Sequence, residues 1–208
     1  MLSELEGGWY RYVSEWRFSP DGVIKPRWGF GGVLDRHLNC VCVAHHHHAY
    51  WRLDFDIKVP KGHAMRECNS GASGPPTCQA MVNEFKSPRN PATHRHWQVV
   101  NTEAKIGYNV IPGADDGSLS NYGIGDFWAL ADDAMQFYDS DSRAGQTKAG
   151  LDGFIKGRPI GGADVVVWYA AHFYHDESDP RGHDKKHIVG PDLRPFAVHG
   201  SSSSHEEL

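Results

Sequence analysis

The chain lacks the features that mark several large functional classes. Among its 208 residues there is no cluster of Lys or Arg, and 21 basic against 26 acidic side chains leave a formal charge of only −5. Nucleic acids and anionic membranes are recognised by concentrated positive charge, so neither is an expected partner. Long apolar runs are missing too: the longest, residues 163–171, falls far short of the roughly 20 residues a helix needs to cross a bilayer. The opening Met1-Leu2-Ser3-Glu4 has neither the basic nor the apolar region of a secretory signal. The expectation is a soluble protein of undetermined compartment. The four cysteines do not decide it. Cys40 and Cys42 stand two apart on an expected strand, where a mutual disulfide would be badly strained. Cys68 and Cys78 bracket a loop rich in turn residues that can bring the sulfurs together, so a disulfide and two thiols are both open there.

What is abundant points to strands. Seven Trp, eight Tyr and nine Phe accompany 23 Gly and 12 Pro. Aromatic rings pack well on pleated surfaces, while Gly and Pro interrupt helices and build turns. With 39% hydrophobic residues the chain can bury one sizeable core. The expected fold class is all-β, an antiparallel β-sandwich of the supersandwich type with long loops. It occupies residues 1–199 as one domain, with a polar, disordered tail at 200–208. Residues 9–18 and 23–33 read as a hairpin turning at Ser19-Pro20-Asp21-Gly22. A long aromatic strand is expected at 40–57, stopped by Pro60-Lys61-Gly62, with others at 97–101, 107–111, 127–131 and 164–175. Residues 136–151 hold a short helix at most.

The most informative segment is His45-His46-His47-His48, four adjacent imidazoles in mid-chain. On a strand His45 and His47 share one face and His46 and His48 the other. An H-x-H pair can chelate copper or zinc, which then needs a third ligand from a distant element. His172 and His175, at the end of the other strongly apolar strand, are the candidates. Asp54 and Asp56 alternate onto one face, and with Asp164 they offer oxygen ligands to a hard cation such as calcium.

These pieces together resemble the copper amine oxidases, specifically their C-terminal catalytic β-sandwich domain in shortened or partial form. The resemblance runs through Gly8-Trp9-Tyr10-Arg11-Tyr12, Glu15-Trp16-Arg17-Phe18, the H-x-H strand ending Arg52-Leu53-Asp54-Phe55-Asp56, Trp97-Gln98-Val99-Val100-Asn101 and Gly107-Tyr108-Asn109-Val110-Ile111-Pro112. It ends at Asp164-Val165-Val166-Val167-Trp168-Tyr169, and covers Gly8 to roughly Pro195. It implies that His45, His47 and His175 bind copper and that Tyr10 becomes the topaquinone cofactor. It also implies a peripheral calcium site at Asp54, Asp56, Asp164 and the carbonyls of Phe55 and Val165. His46, His48 and His172 then fall to supporting or structural roles. The implied activity is oxidation of a primary amine by dioxygen, in a protein that forms homodimers. Three departures stand out. Tyr10 lies between Trp9 and Arg11 rather than between Asn and an acidic residue. The family's general base, an Asp far upstream of its cofactor tyrosine, has no counterpart among the nine residues before Tyr10. The Pro-rich segment after the third ligand is replaced by Asp176-Glu177-Ser178-Asp179-Pro180 through Val189-Gly190-Pro191. Two other readings use the same histidines: a non-catalytic copper-binding sandwich, and a three-His metal oxygenase or hydrolase with Glu84, Glu103 or Asp176 as base.

Overall fold

A computed structural model describes residues 1–7, 10–32, 45–71, 74–117, 126–133, 147–175 and 187–198. The elements, in chain order, are β1 (Leu2–Gly7), β2 (Tyr10–Phe18), β3 (Ile24–Gly32), β4 (His45–Asp54), β5 (His63–Asn69), β6 (Thr77–Met81), β7 (Phe85–Ser87), β8 (His96–Asn101) and β9 (Ile106–Ile111). They continue with β10 (Phe127–Ala131), α1 (Thr147–Phe154), β11 (Val165–His175), β12 (His187–Val189) and β13 (Asp192–Ala197). Among the described residues they form two sheets, and every strand pairing is antiparallel. The larger runs β1-β2-β3-β13-β9-β8-β5-β6 with β12 beside β3, and the smaller runs β4-β11-β10-β7. The all-β sandwich read from composition is thus the fold.

The opening hairpin forms as its turn residues require. Gly22 takes φ +81°, a left-handed conformation that glycine adopts without steric cost, and the Ser19 N–H and Val23 C=O close the loop at 2.9 Å. The H-x-H strand is shorter than expected. It ends at Asp54, and Ile57 lies beyond it; residues 40–44 lie outside the described set, as does the tail at 200–208. Lys58 and Gly62 take positive φ in the turn ahead of β5, which ends the extended run before the Pro60-Lys61-Gly62 stop is complete. Strands β1, β5, β6, β7, β12 and β13 add to those expected. Cys68 and Cys78 face each other across the β5–β6 pair and are joined by a disulfide.

The core arises from strand alternation. Ala49, Trp51 and Leu53 of β4, with Val165, Val167, Tyr169 and Ala171 of β11, face the large sheet and pack against Phe30, Met65, Trp97, Val99, Val110 and Leu193. The intervening residues Val166, Trp168 and Ala170 point outward and are covered by Leu151 of α1 with Phe154 and Ile155. Burying one large apolar side chain contributes about 1.5–3 kcal/mol, so both faces of β11 are held by packing. The β4–β11 ladder, with its histidine-rich end and its aspartate-rich end, is therefore a rigid support.

Candidate metal centre

Strand alternation sets His47 on one face of β4 and His46 and His48 on the other. His47 shares its face with Ala49 and Trp51 and turns toward the large sheet, where the Phe30 ring lies 4.1 Å away, centroid to centroid. Tyr10 stands edge-on to His47, with ring centroids 5.2 Å apart, and also packs against Phe30 at 5.3 Å and Tyr12 at 5.7 Å. Trp28 closes the group at 6.1 Å from His47. Burial raises the phenol pKa of Tyr12, as expected in a wall of rings. The backbone register sets position 45 opposite position 175 and position 47 opposite 173. The side chains of His45 and His175 lie outside the described residues, as does Trp9. Arg11 turns away from this group: it is largely exposed and forms ion pairs with Glu4 at 3.7 Å and Glu6 at 3.4 Å.

At the other end of the ladder the carboxylates of Asp54, Asp56 and Asp164 converge, one oxygen from each lying within 4.8 Å of the others. Burial and then the neighbouring Asp54, Asp132 and Asp56 push the Asp164 carboxyl pKa upward. Its buried Oδ1 has no hydrogen-bond partner among the described residues. Arg52 offsets part of the negative charge, reaching Asp132 at 2.7 Å and Asp54 at 3.5 Å. Crowded carboxylates with an unsatisfied buried oxygen suit a hard divalent cation. The Phe55 side chain belongs to the core, so that residue can serve a cation only through its carbonyl, as can Val165.

The outer face carries an arrangement that sequence reasoning only partly anticipated. His48 and His172 meet through their Nδ1 atoms at 2.8 Å, and His172 Nε2 lies 3.1 Å from Asp126 Oδ1. The Arg89 backbone N–H donates to Asp126 Oδ2 at 2.7 Å, and its guanidinium lies 3.3 Å from the same carboxylate. On the inner side of the small sheet, Asp116 accepts hydrogen bonds from the N–H groups of Gly113 and Gly190, each at 2.7 Å, and from the hydroxyl of the inward-facing Tyr169. Burial, with added repulsion from His172 and His46, drives the His48 pKa down to about 4. Burial opposes ionisation of Asp126, but His172 and Arg89 outweigh it and hold the carboxyl below its usual range. Burial and then Asp116 push the Tyr169 phenol well up. Asp116 and Asp126 sit in turn-rich loop sequence, Asp115-Asp116-Gly117 and Gly125-Asp126, which carries no signal beyond a turn.

Of the carboxylates considered as hydrolytic bases, Glu84 and Glu103 are not placed for that work. Glu84 is buried and accepts from the N–H groups of Lys156 at 2.6 Å, Arg158 at 3.1 Å and Ala131 at 3.1 Å, and from Arg158 Nε at 2.8 Å. Every bond is structural. Glu103 lies exposed in the β8–β9 turn, and Asp176 is outside the described residues.

No family model matches the chain, and no curated protein sequence matches it. Solved structures do: the fold is one found in amine oxidases. A copper-containing benzylamine oxidase from Hansenula polymorpha superposes with TM-score 0.75 at 14% identity, covering 95% of this chain and 39% of that one. An Aspergillus nidulans amine oxidase gives 0.71 at 16%, covering 94% and 33%. The Pichia pastoris lysyl oxidase gives 0.71 at 14%, covering 94% and 34%. The chain thus spans between a third and two fifths of the length of these proteins. No helix among the described residues is long and apolar enough to cross a membrane.

Proposed function

We propose that this chain is the copper-binding core of a primary amine oxidase, with His45, His47 and His175 as copper ligands and Tyr10 as the precursor of a quinone cofactor. The observation that carries the reading is the edge-on approach of Tyr10 to His47 at 5.2 Å between ring centroids. A tyrosine this close to a copper-ligating imidazole stands where the metal can oxidise it in place. The backbone register supports the third ligand, because position 175 lies opposite position 45, and directly opposed positions of an antiparallel pair have Cβ atoms about 4.5–5.5 Å apart. When bound, copper and the tyrosine-derived quinone supply a two-electron acceptor that takes R-CH2-NH2, O2 and H2O to an aldehyde, NH3 and H2O2.

The residues of this chain position and shield that chemistry. Phe30 and Trp28 fix the His47 ring by contact, and Tyr12 and Phe30 wall Tyr10. Arg11, a cation where the family has an acidic residue, directs its charge to Glu4 and Glu6 at the surface, so it leaves the Tyr10 face apolar. The same reading takes Asp54, Asp56 and Asp164, with the carbonyls of Phe55 and Val165, as a calcium site that braces the ladder. The α-proton of the amine still needs a base, and general acid–base catalysis typically contributes about 10²- to 10⁴-fold.

The test is reconstitution with Cu(II) in air. A visible chromophore that reacts with phenylhydrazine in wild type and is absent from Tyr10→Phe, with copper retained, is the expected result. Copper bound without colour in the wild type overturns the enzymatic reading in favour of a copper-binding sandwich without catalysis.

A further inference from the structure

The geometry points to a second transition-metal site on the outer face of the small sheet, held by His48 and His172 through their Nδ1 atoms and braced by Asp126. It is distinct from the proposed copper site, because His47 and His48 alternate onto opposite faces of β4 and His172 lies beside His48 in the ladder register.

The two Nδ1 atoms are 2.8 Å apart. Ligands at about 2.0–2.1 Å from zinc or copper lie roughly 2.9 Å apart at a right angle and about 3.3 Å apart at the tetrahedral angle. The pair therefore already has the bite of a cis-coordinating site, and an opening of about half an ångström completes a tetrahedral one. Without a metal the same contact is a hydrogen bond. His172 donates Nε2–H to Asp126, leaving its Nδ1 as acceptor for His48 Nδ1–H. A metal at this site takes the place of the proton shared between the two Nδ1 atoms.

The surroundings match what such a site needs. Ligating imidazoles usually pass their second N–H to a carboxylate, which fixes the tautomer and ring orientation. Asp126 does this for His172, and it is held in turn by the Arg89 backbone and guanidinium. Arg89, Asp116 and Asp126 are nearly inaccessible, with side chains 4%, 1% and 1% exposed, and together carry one positive and two negative charges. The His46 ring lies parallel to that of His48 at 6.0 Å between centroids, on the same face of β4.

The full chain is stripped with a chelator, loaded with Cu(II), desalted, and its copper content per chain measured by mass spectrometry. The expected outcome is two coppers in the wild type, one in His47→Ala, and none in His47→Ala/His48→Gln. One copper in the wild type and none in His47→Ala would overturn the second site and leave the first standing. One copper in both, lost with His48→Gln, would sustain the second site and sink the first. Asp126→Asn, nearly isosteric, covers the case in which His48→Gln fails to fold. In the His47→Ala background it should weaken copper retention by about 10- to 100-fold, and undiminished retention would refute the site.

Discussion

Replacing Asp164 by Asn should have opposite effects on stability depending on whether calcium is present. In a chelator the wild type holds Asp54, Asp56 and Asp164 with oxygens within 4.8 Å of one another, while the nearby Asp132 is offset by Arg52 at 2.7 Å. Two unit charges about 5 Å apart repel by roughly 0.8 kcal/mol in bulk water. Asp54 and Asp56 are exposed, so the water-like figure applies, and removing the Asp164 charge relieves two such contacts, about 1–2 kcal/mol. For a domain of this size 1 kcal/mol moves Tm by about 2–4 °C, so Asp164→Asn should melt roughly 2–8 °C higher than the wild type in chelator. With calcium at 100 times Kd the wild type gains about 2.7 kcal/mol by mass action, or roughly 5–11 °C. The variant has lost one charged ligand and should gain much less, so the order of the two melting temperatures reverses. Differential scanning calorimetry of both proteins in chelator and in excess calcium reads this directly. A wild type whose Tm ignores calcium sinks the cation site, and a variant that melts lower in chelator sinks the repulsion argument.

The division of the histidines between two faces makes a second outcome specific. His47→Ala should abolish the chromophore formed with Cu(II) in air, whereas His46→Ala, altered on the outer face, should keep it; equal loss in both, read by the phenylhydrazine adduct, would mean that the faces are misassigned. Burial raises the Glu84 carboxyl, but the Lys156, Arg158 and Ala131 N–H groups and the Arg158 side chain outweigh it and hold it below its ordinary value. A depressed carboxyl contributes stability above its unfolded pKa and loses it as pH falls through the folded one. Glu84→Gln should therefore cost about 1–3 kcal/mol at pH 7 by leaving donors unsatisfied. That cost should shrink toward zero below about pH 4, near the ordinary glutamate pKa, and urea titrations showing the same loss at both pH values would contradict the assignment.

Much of the fold is legible in the sequence because alternation is a local property. Trp51 and Leu53 against Tyr50 and Arg52 announce a strand with one buried face, and Asp21-Gly22 announces its hairpin. The apolar run of β10 is bounded as the residues suggest, from Phe127 to Ala131. Strands such as β5, His63–Asn69, are not legible, because HAMRECN carries charge in a segment whose burial is set by partners distant in sequence. The same reason hides Asp116 and Asp126. Neither is marked by spacing, and each matters only because the fold brings it to Tyr169 or His172. The Cys68–Cys78 bond stays open until strand pairing sets the two residues opposite each other.

The β4–β11 ladder also acts as a register lock. A slip of one residue would send His46 and His48 inward and His47 outward, and because the imidazoles run without interruption an H-x-H pair would still face the large sheet. The histidine run is thus degenerate with respect to facing and cannot choose its own side. That choice belongs to Trp51 and Leu53, which the same slip would eject into solvent while drawing Arg52 and Tyr50 into the core. The facing of the proposed copper ligands is thus written in the indole and leucine several residues downstream, and mutations there should mis-set the histidines without touching one.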